Sequence, residues 1–267
     1  MSEIQLLFLG TGTSAGVPMI GCACGVCTSS DPHDRRDRPS VVISYDGIRV
    51  LVDATPELRH QCLRNNVQMI DAVVFTHAHA DHIFGLDDVR RFNAISKGPL
   101  DVWADDVTFE ALSRPFGYAF TPPNGDPHDF RPMLVRQKID GPFSIGGRQW
   151  LPIPLIHGEQ TVLGFRIGGL AYCTDVSRIP EPSYDLLKGL DVLVLDALSV
   201  RSHPKHFSIS EAVEAARRIG AKQTYFTHIG HAIGHAAINP TLPEGMRLAF
   251  DGQQVRTGDL GQRGASS

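Results

Sequence analysis

The chain is poor in cysteine, with five in 267 residues, and that number is odd. A disulfide-stapled secreted scaffold needs more of them, in pairs. No apolar stretch approaches the roughly 20 residues of a membrane span, which excludes a transmembrane helix. There is no basic excess either: 25 Lys and Arg stand against 29 Asp and Glu, for a net charge of −4. Broad, non-specific nucleic-acid binding wants a basic face and is disfavoured, although a local basic patch is not. Residues 1–257 lack any low-complexity linker, so a single domain is expected, followed by a Gly- and Ser-rich tail over 258–267 that should fray. The opening MSEIQLLFLGTG lacks the basic start and apolar core of a signal peptide. The expected compartment is the cytoplasm, where thiols stay reduced and clustered cysteines point to metal.

What the chain holds in surplus is imidazole, with 12 His against 5 Tyr and 2 Trp. Apolar residues at 42% and charged residues at 20% are ordinary for a globular protein and exclude disordered, collagen-like and coiled-coil chains. A chain this long buries roughly three quarters of its unfolded surface without staples. Because His both ligates metals and carries protons near neutral pH, its positions decide its meaning.

Short β-branched runs separated by turn residues predict strands over 4–9, 41–45, 48–52, 72–76, 100–103, 133–139, 143–145, 149–156, 162–167, 170–174, 192–195, 223–227, 246–250 and 254–257. Asp46-Gly47 and Asp251-Gly252 are hairpin signals between two pairs of them. Helices are expected over 56–65, 87–95, 106–113 and 209–219. The last has Ser208 as N-cap, Glu211 three residues on and Gly220 at its end, a capping-box pattern. Many strands with interspersed helices suggest an α/β fold of two sheets between helical layers.

Acidic or His residues stand just past the carboxyl ends of these strands. Asp53, His77, Asp175, Asp196 and His228 all occupy such positions, and ligands gathered there converge on one sheet edge. The densest run is His77-Ala78-His79-Ala80-Asp81-His82. His77 and His79, two apart, project to one side of an extended segment, whereas Asp81 and His82 follow a turn and can face a second ion. Imidazole with carboxylate suits Zn²⁺, Mn²⁺ or Fe.

This run resembles the HxHxDH signature of the metallo-β-lactamase superfamily, and His157, Asp175 and His228 follow in that superfamily's order. The resemblance spans nearly the whole chain. It implies an αββα sandwich, two mixed sheets between helical layers, around two divalent metals (Zn or Mn). His77, His79 and His157 would hold the first metal, Asp81, His82 and His228 the second, with Asp175 bridging.

Cys22, Cys24 and Cys27 form CxCxxC. A closed tetrahedral Zn²⁺ needs a fourth ligand, and an Fe–S fragment or three free buried thiols would also suit the spacing. Together with the stretch 10–18, the cluster is similar to the cyclic phosphate phosphodiesterases of the phosphonate-degradation (carbon–phosphorus lyase) pathway. That resemblance implies a structural Zn held by Cys22, Cys24, Cys27 and His231, and a homodimer. Cys62 and Cys173 read as packing residues. The stretch 10–16 lacks the Gly-Lys-Ser/Thr ending of a phosphate loop and reads as a tight turn beside the site.

The stretch from Asp196 through His206-Phe207-Ser208 to Glu211 resembles phosphodiesterase-type members, which implies that His206 acts as general acid. His206 and Asp81 are thus the candidate catalytic residues, Asp81 being also a ligand. Asp53 and Asp196 would orient ligand histidines, and Glu211 would cap its helix. His33, His60, His128 and His235 read as surface residues, and Arg35, Arg36 and Arg38 as either a phosphate contact or a solvated run. The implied activity is hydrolysis of a small, cyclic or open, phosphodiester through a metal-bridging hydroxide, with no membrane or nucleic-acid partner. A tRNA 3′-processing ribonuclease is the rival within the superfamily, but only 17 residues separate His157 from Asp175, too few for its flexible arm. Two more activities fit the same resemblance: a lactone or thioester hydrolase, and a non-hydrolytic protein like pyrroloquinoline-quinone biosynthesis B.

Overall fold

Fourteen strands among the described residues assemble into two seven-stranded mixed sheets. The computed structural model describes residues 3–122 and 130–257, so the expected tail over 258–267 and His128 lie outside it. In chain order the strands are β1 (Gln5–Gly10), β2 (Ser40–Tyr45), β3 (Ile48–Val52), β4 (Ala72–Val74), β5 (Leu100–Ala104), β6 (Leu134–Lys138), β7 (Phe143–Ile145), β8 (Arg148–His157), β9 (Gln160–Ile167), β10 (Leu170–Cys173), β11 (Val192–Asp196), β12 (Gln223–Thr227), β13 (Met246–Leu248) and β14 (Gln254–Arg256). The first sheet has the order β14-β1-β2-β3-β4-β5-β6 and the second β13-β12-β11-β10-β9-β8-β7. Each is antiparallel over one half and parallel over the other. Every strand expected from the pattern is present, with ends shifted by a few residues.

Side-chain alternation sorts the apolar residues into three layers. Val41, Ile43, Val50 and Val52 face inward and meet Trp150, Phe165 and Tyr172 of the second sheet. Val42, Leu51 and Val73 face outward and are covered by α1 (Leu58–Arg64), α3 (Arg90–Ser96) and α4 (Asp106–Phe116) through Cys62, Phe92 and Leu112. Leu193 and Leu195 face outward from the second sheet onto α6 (Ile209–Ile219) through Ala212, Ala216 and Ile219. The result is the expected αββα sandwich. Cys62 and Cys173 are buried in these layers.

The capping box at α6 is formed in both directions, with Glu211 Oε2 accepting from the Ser208 backbone N–H at 2.8 Å. Gly220, at φ 71°, ends the helix in the left-handed conformation. Three short helices, α2 (Ala80–Ile83), α5 (Glu181–Leu186) and α7 (His235–Ile238), were not expected. Helices this short have almost no intrinsic stability and form only where tertiary contacts hold them.

One such contact positions α2. The Ala54 N–H donates to the His82 carbonyl at 2.7 Å, and the Gly85 N–H donates back to the Ala54 carbonyl at 2.9 Å. A Cβ on residue 85 would lie 1.8 Å from the Thr55 carbonyl oxygen, so only glycine permits this approach. Gly85→Ala should therefore destabilise the protein by about 1–3 kcal/mol or more, read from the urea midpoint. An unchanged midpoint would show that α2 can move away freely.

Candidate metal centre

The ligand-type side chains emerge where strands of both sheets end. His157 and Asp196 are the last residues of β8 and β11, while Asp53, His77, Asp175 and His228 follow β3, β4, β10 and β12. Asp53, Asp175 and His228 adopt left-handed backbone conformations, at φ 63°, 56° and 58°. Such conformations in non-glycine residues cost of order 1–3 kcal/mol each and persist only where the surroundings hold them. Here they turn side chains at the strand ends into the space between the sheets.

Asp53 organises the first side of this space. Its Oδ1 accepts from the Thr76 backbone N–H at 2.9 Å, and its Oδ2 accepts from the Thr76 hydroxyl at 2.8 Å. Thr76 has one hydroxyl proton, now committed, so its oxygen accepts from His77 Nδ1–H at 2.9 Å. Asp53 Oδ2 also accepts from His82 Nδ1–H at 2.8 Å. A single carboxylate thus fixes both imidazoles with Nε2 as the free lone pair. His157 is fixed likewise, because its Nδ1 lies 2.7 Å from the Lys205 carbonyl, which can only accept. Hydrogen bonds of this kind choose the ligating nitrogen and raise its basicity.

The prepared atoms fall into two groups. His77, His79, His157 and Asp175 bring one donor atom each within 4.8 Å of one another, and so do Asp81, His82 and His228. His79 offers Nδ1, 2.9 Å from His77 Nε2. Asp175, a member of the first group, also touches the second: its Oδ2 lies 3.3 Å from His82 Nε2 and its Oδ1 3.3 Å from His228 Nε2. Asp81 Oδ2 lies 3.4 Å from His82 Nε2 and 3.8 Å from His228 Nε2.

Two observations show that this set fits cations. His82 Nε2 and His228 Nε2 are buried without a hydrogen-bond partner among the described residues, a costly state unless another group engages them. The electrostatics agree. Burial opposes charge on His82, yet Asp175, Asp53 and Asp81 outweigh it and hold this imidazole well above its ordinary range. Burial likewise opposes charge on His228, and Asp175, Asp81 and Asp196 raise it to about 9. Asp81 and Asp175 are held low despite their own burial, chiefly by His82 and His228. On the other side burial dominates, lowering His77 and bringing His157 to about 4, so both are neutral and able to ligate at pH 7.

His206 lies beside both groups, 9% exposed. Its ring stacks on His228 at 4.5 Å and meets His157 edge-on at 4.7 Å. Its Nδ1 faces both oxygens of Asp196 at 3.3 Å, and Asp196 Oδ2 accepts from the Phe207 N–H at 3.0 Å. His206 also forms a group with Asp175 and His228 within 4.8 Å.

Cys22, Cys24, Cys27 and His231 meet in a separate cluster, with the three sulfurs 3.3, 3.5 and 3.7 Å from His231 Nδ1. The Cys27 N–H donates to Cys24 Sγ and is the main influence bringing that thiol down to about 6. Three sulfurs converging on one imidazole nitrogen is a tetrahedral donor set suited to Zn²⁺. The turn at 10–16 lies beside the site as expected, with Gly12 bridged to Ile229.

Two other basic residues, Arg36 and His235, stand differently from what the sequence suggests, whereas Arg35 is exposed. Arg36 is 1% exposed, so it belongs to no solvated run. Arg38 is paired with Glu57, and Arg35 donates to the Ser29 carbonyl at 3.1 Å. His235 is buried rather than on the surface, with the His33 ring tilted against it at 4.6 Å, whereas His60 is exposed. Sequence reasoning missed the Lys205 carbonyl as the group orienting His157, because a backbone acceptor leaves no residue-type signal.

Two mixed sheets between helical layers, with these donors at the strand ends, define a metallo-β-lactamase fold. The chain belongs to the β-lactamase superfamily, whose domain matches residues 48–229. Among solved structures it is similar to a diphosphatase from the PhnP family, with 44% identity and a TM-score of 0.89 over 96% of this chain and 98% of that one. It is 33% identical to an octanoyltransferase of Porphyromonas gingivalis over 97% of this chain, and spans only 53% of that protein's length. Coenzyme PQQ synthesis protein B of Methylobacterium nodulans is 30% identical, over 72% of each chain.

Asp53→Asn should weaken divalent-metal binding by about 10–100-fold while the fold persists, measured by calorimetric titration, because it frees the His77 and His82 tautomers. Binding should also depend on pH. A raised folded-state pKa means that protonated His228 stabilises the metal-free protein below about pH 6.5, and that this contribution is lost as pH rises through about 9. Metal must displace that proton. The increase in Tm on adding Zn²⁺ should therefore grow between these two limits; an increment that shrinks with rising pH would contradict the assignment.

Proposed function

We propose that the protein is a binuclear metal-dependent phosphoric diester hydrolase acting on a small, compact phosphodiester, a cyclic one included. The observation that carries this reading is His206, an imidazole buried against both donor groups and backed by the Asp196 carboxylate. His77, His79 and His157 would hold one divalent ion (Zn or Mn), and Asp81, His82 and His228 a second, with Asp175 shared. Ions held there would supply an activated water and neutralise charge on the oxygens of an in-line displacement.

The chain's own residues do the rest. Asp53, Thr76 and the Lys205 carbonyl keep three ligand imidazoles in one tautomer, so no reorganisation is needed at the moment of reaction. Asp196 holds His206 through Nδ1, which leaves Nε2 to carry a proton to the departing alkoxide. The similarity to a PhnP-family diphosphatase supports chemistry at phosphorus. The short β8–β9 and β9–β10 turns leave no room for an RNA-gripping arm between His157 and Asp175. The cluster of Cys22, Cys24, Cys27 and His231 would hold a structural Zn.

One observation favours a second reading. The octanoyltransferase resembles this chain over about half its length, and its name denotes acyl transfer, so a thioester or lactone carbonyl is the competing substrate. Metal-loaded protein should be assayed with bis-p-nitrophenyl phosphate, 2′,3′-cyclic nucleotides, ribose cyclic phosphate, a lactone and an octanoyl thioester. Phosphodiester turnover is expected, and turnover of the carbonyl substrates alone would overturn the proposal. His206→Ala should retain both active-site ions and lose about 10²–10⁴ in kcat on a poor leaving group. Loss of an ion together with activity would make His206 a ligand instead.

A further inference from the structure

His228 and His231 stand three residues apart on one short turn, and each belongs to a different donor cluster. The turn is held largely by the N-terminal loop. The Ile229 N–H donates to the Thr11 carbonyl at 2.8 Å, and the Thr13 N–H to the Ile229 carbonyl at 3.2 Å. The Gly230 carbonyl accepts from Arg36 Nη1 at 3.3 Å. The Gly230 N–H looks elsewhere, to the Leu198 carbonyl at 2.8 Å.

Arg36 is the strut of this arrangement. Its guanidinium also donates from Nη2 to Asp34 Oδ1 at 2.8 Å and from Nε to the His33 carbonyl at 3.1 Å. Its backbone pairs with Val17 in both directions, at 2.7 and 2.8 Å, just before the segment that carries the cysteines. A fully buried guanidinium with one carboxylate partner is expensive to place, and here it spans from the cysteine-bearing loop to the turn of His228. The ligands on the other side are held differently: His77 rests on Thr76 and Asp53, and His157 on Lys205.

We propose that Arg36 is a positioning residue that couples the Cys22/Cys24/Cys27/His231 cluster to the ion held by Asp81, His82 and His228, and gives no direct support to the ion at His77, His79 and His157. Filling the cysteine cluster fixes His231 and the N-terminal loop together. That in turn holds His228 in its left-handed conformation with Nε2 aimed at the site. With the cluster empty the same turn loosens, and the second ion, whose ligand His228 rides on that turn, bears the main loss. This coupling rests on the binuclear reading and deepens it.

Manganese(II) is the probe, since its preference for carboxylate and imidazole over thiolate directs it to the active site. Its binding can be followed by electron paramagnetic resonance, without reference to activity. The wild-type protein with zinc at the cysteines should show two manganese affinities. In Cys24→Ser one of them should weaken by at least about tenfold, and the other should stay within about twofold, as expected for loss of an outer support. Arg36→Lys should show the same selective loss while cobalt at the cysteines still gives its thiolate charge-transfer band. The double variant R36M/D34N leaves no buried unpaired charge and keeps the test sound should Arg36→Lys fold poorly. Two affinities unchanged, or two that fall equally, would overturn the coupling. No manganese binding in the wild type would overturn the binuclear reading, and the coupling with it.

Discussion

A carboxylate with no exposure to solvent, Asp53, is the constraint on which the centre depends. Its two oxygens accept from the Thr76 backbone and hydroxyl and from His82, and through Thr76 it also fixes His77. Removing such a group from water is costly unless each lone pair finds a donor. The requirement therefore runs outward: β3 must end where β4 ends, and α2 must lie close enough for Gly85 to touch Thr55. The sandwich is an instrument for holding that carboxylate dry and bound by three donors.

Around this hub the two sides of the centre are electrostatically unlike. His77, His79 and His157 are depressed by burial and stay neutral, giving one site dominated by imidazole. His82 and His228 face Asp81 and Asp175, and their elevation records an excess of negative charge on the second side. The first donor group is rich in nitrogen and the second richer in carboxylate per ligand. Asp175, in contact with both, ties their charges together.

The fold was legible because its strands are buried on both faces or alternate cleanly. Val41–Val42–Ile43 and Val50–Leu51–Val52 pack into two cores at once, which demands continuous β-branched runs. The donor side chains were legible because several of them follow strand ends and because their run and order resemble a known signature. What stayed hidden was backbone chemistry. The Lys205 carbonyl, the left-handed conformations of Asp53, Asp175 and His228, and the one-turn helix α2 have no side-chain signature. Arg36 was misread because a run of arginines looks solvated, whereas its partners Asp34 and the Gly230 carbonyl only meet it in three dimensions.

The central claim is that these donors hold two ions sharing Asp175, with a third ion apart from them. Anomalous diffraction from crystals grown with Zn²⁺ tests it directly. The account predicts two peaks roughly 3.5–4 Å apart, one among His77, His79 and His157 and one among Asp81, His82 and His228, and a third among Cys22, Cys24, Cys27 and His231. A single active-site peak, or one ligated by His206 in place of His228, would contradict it.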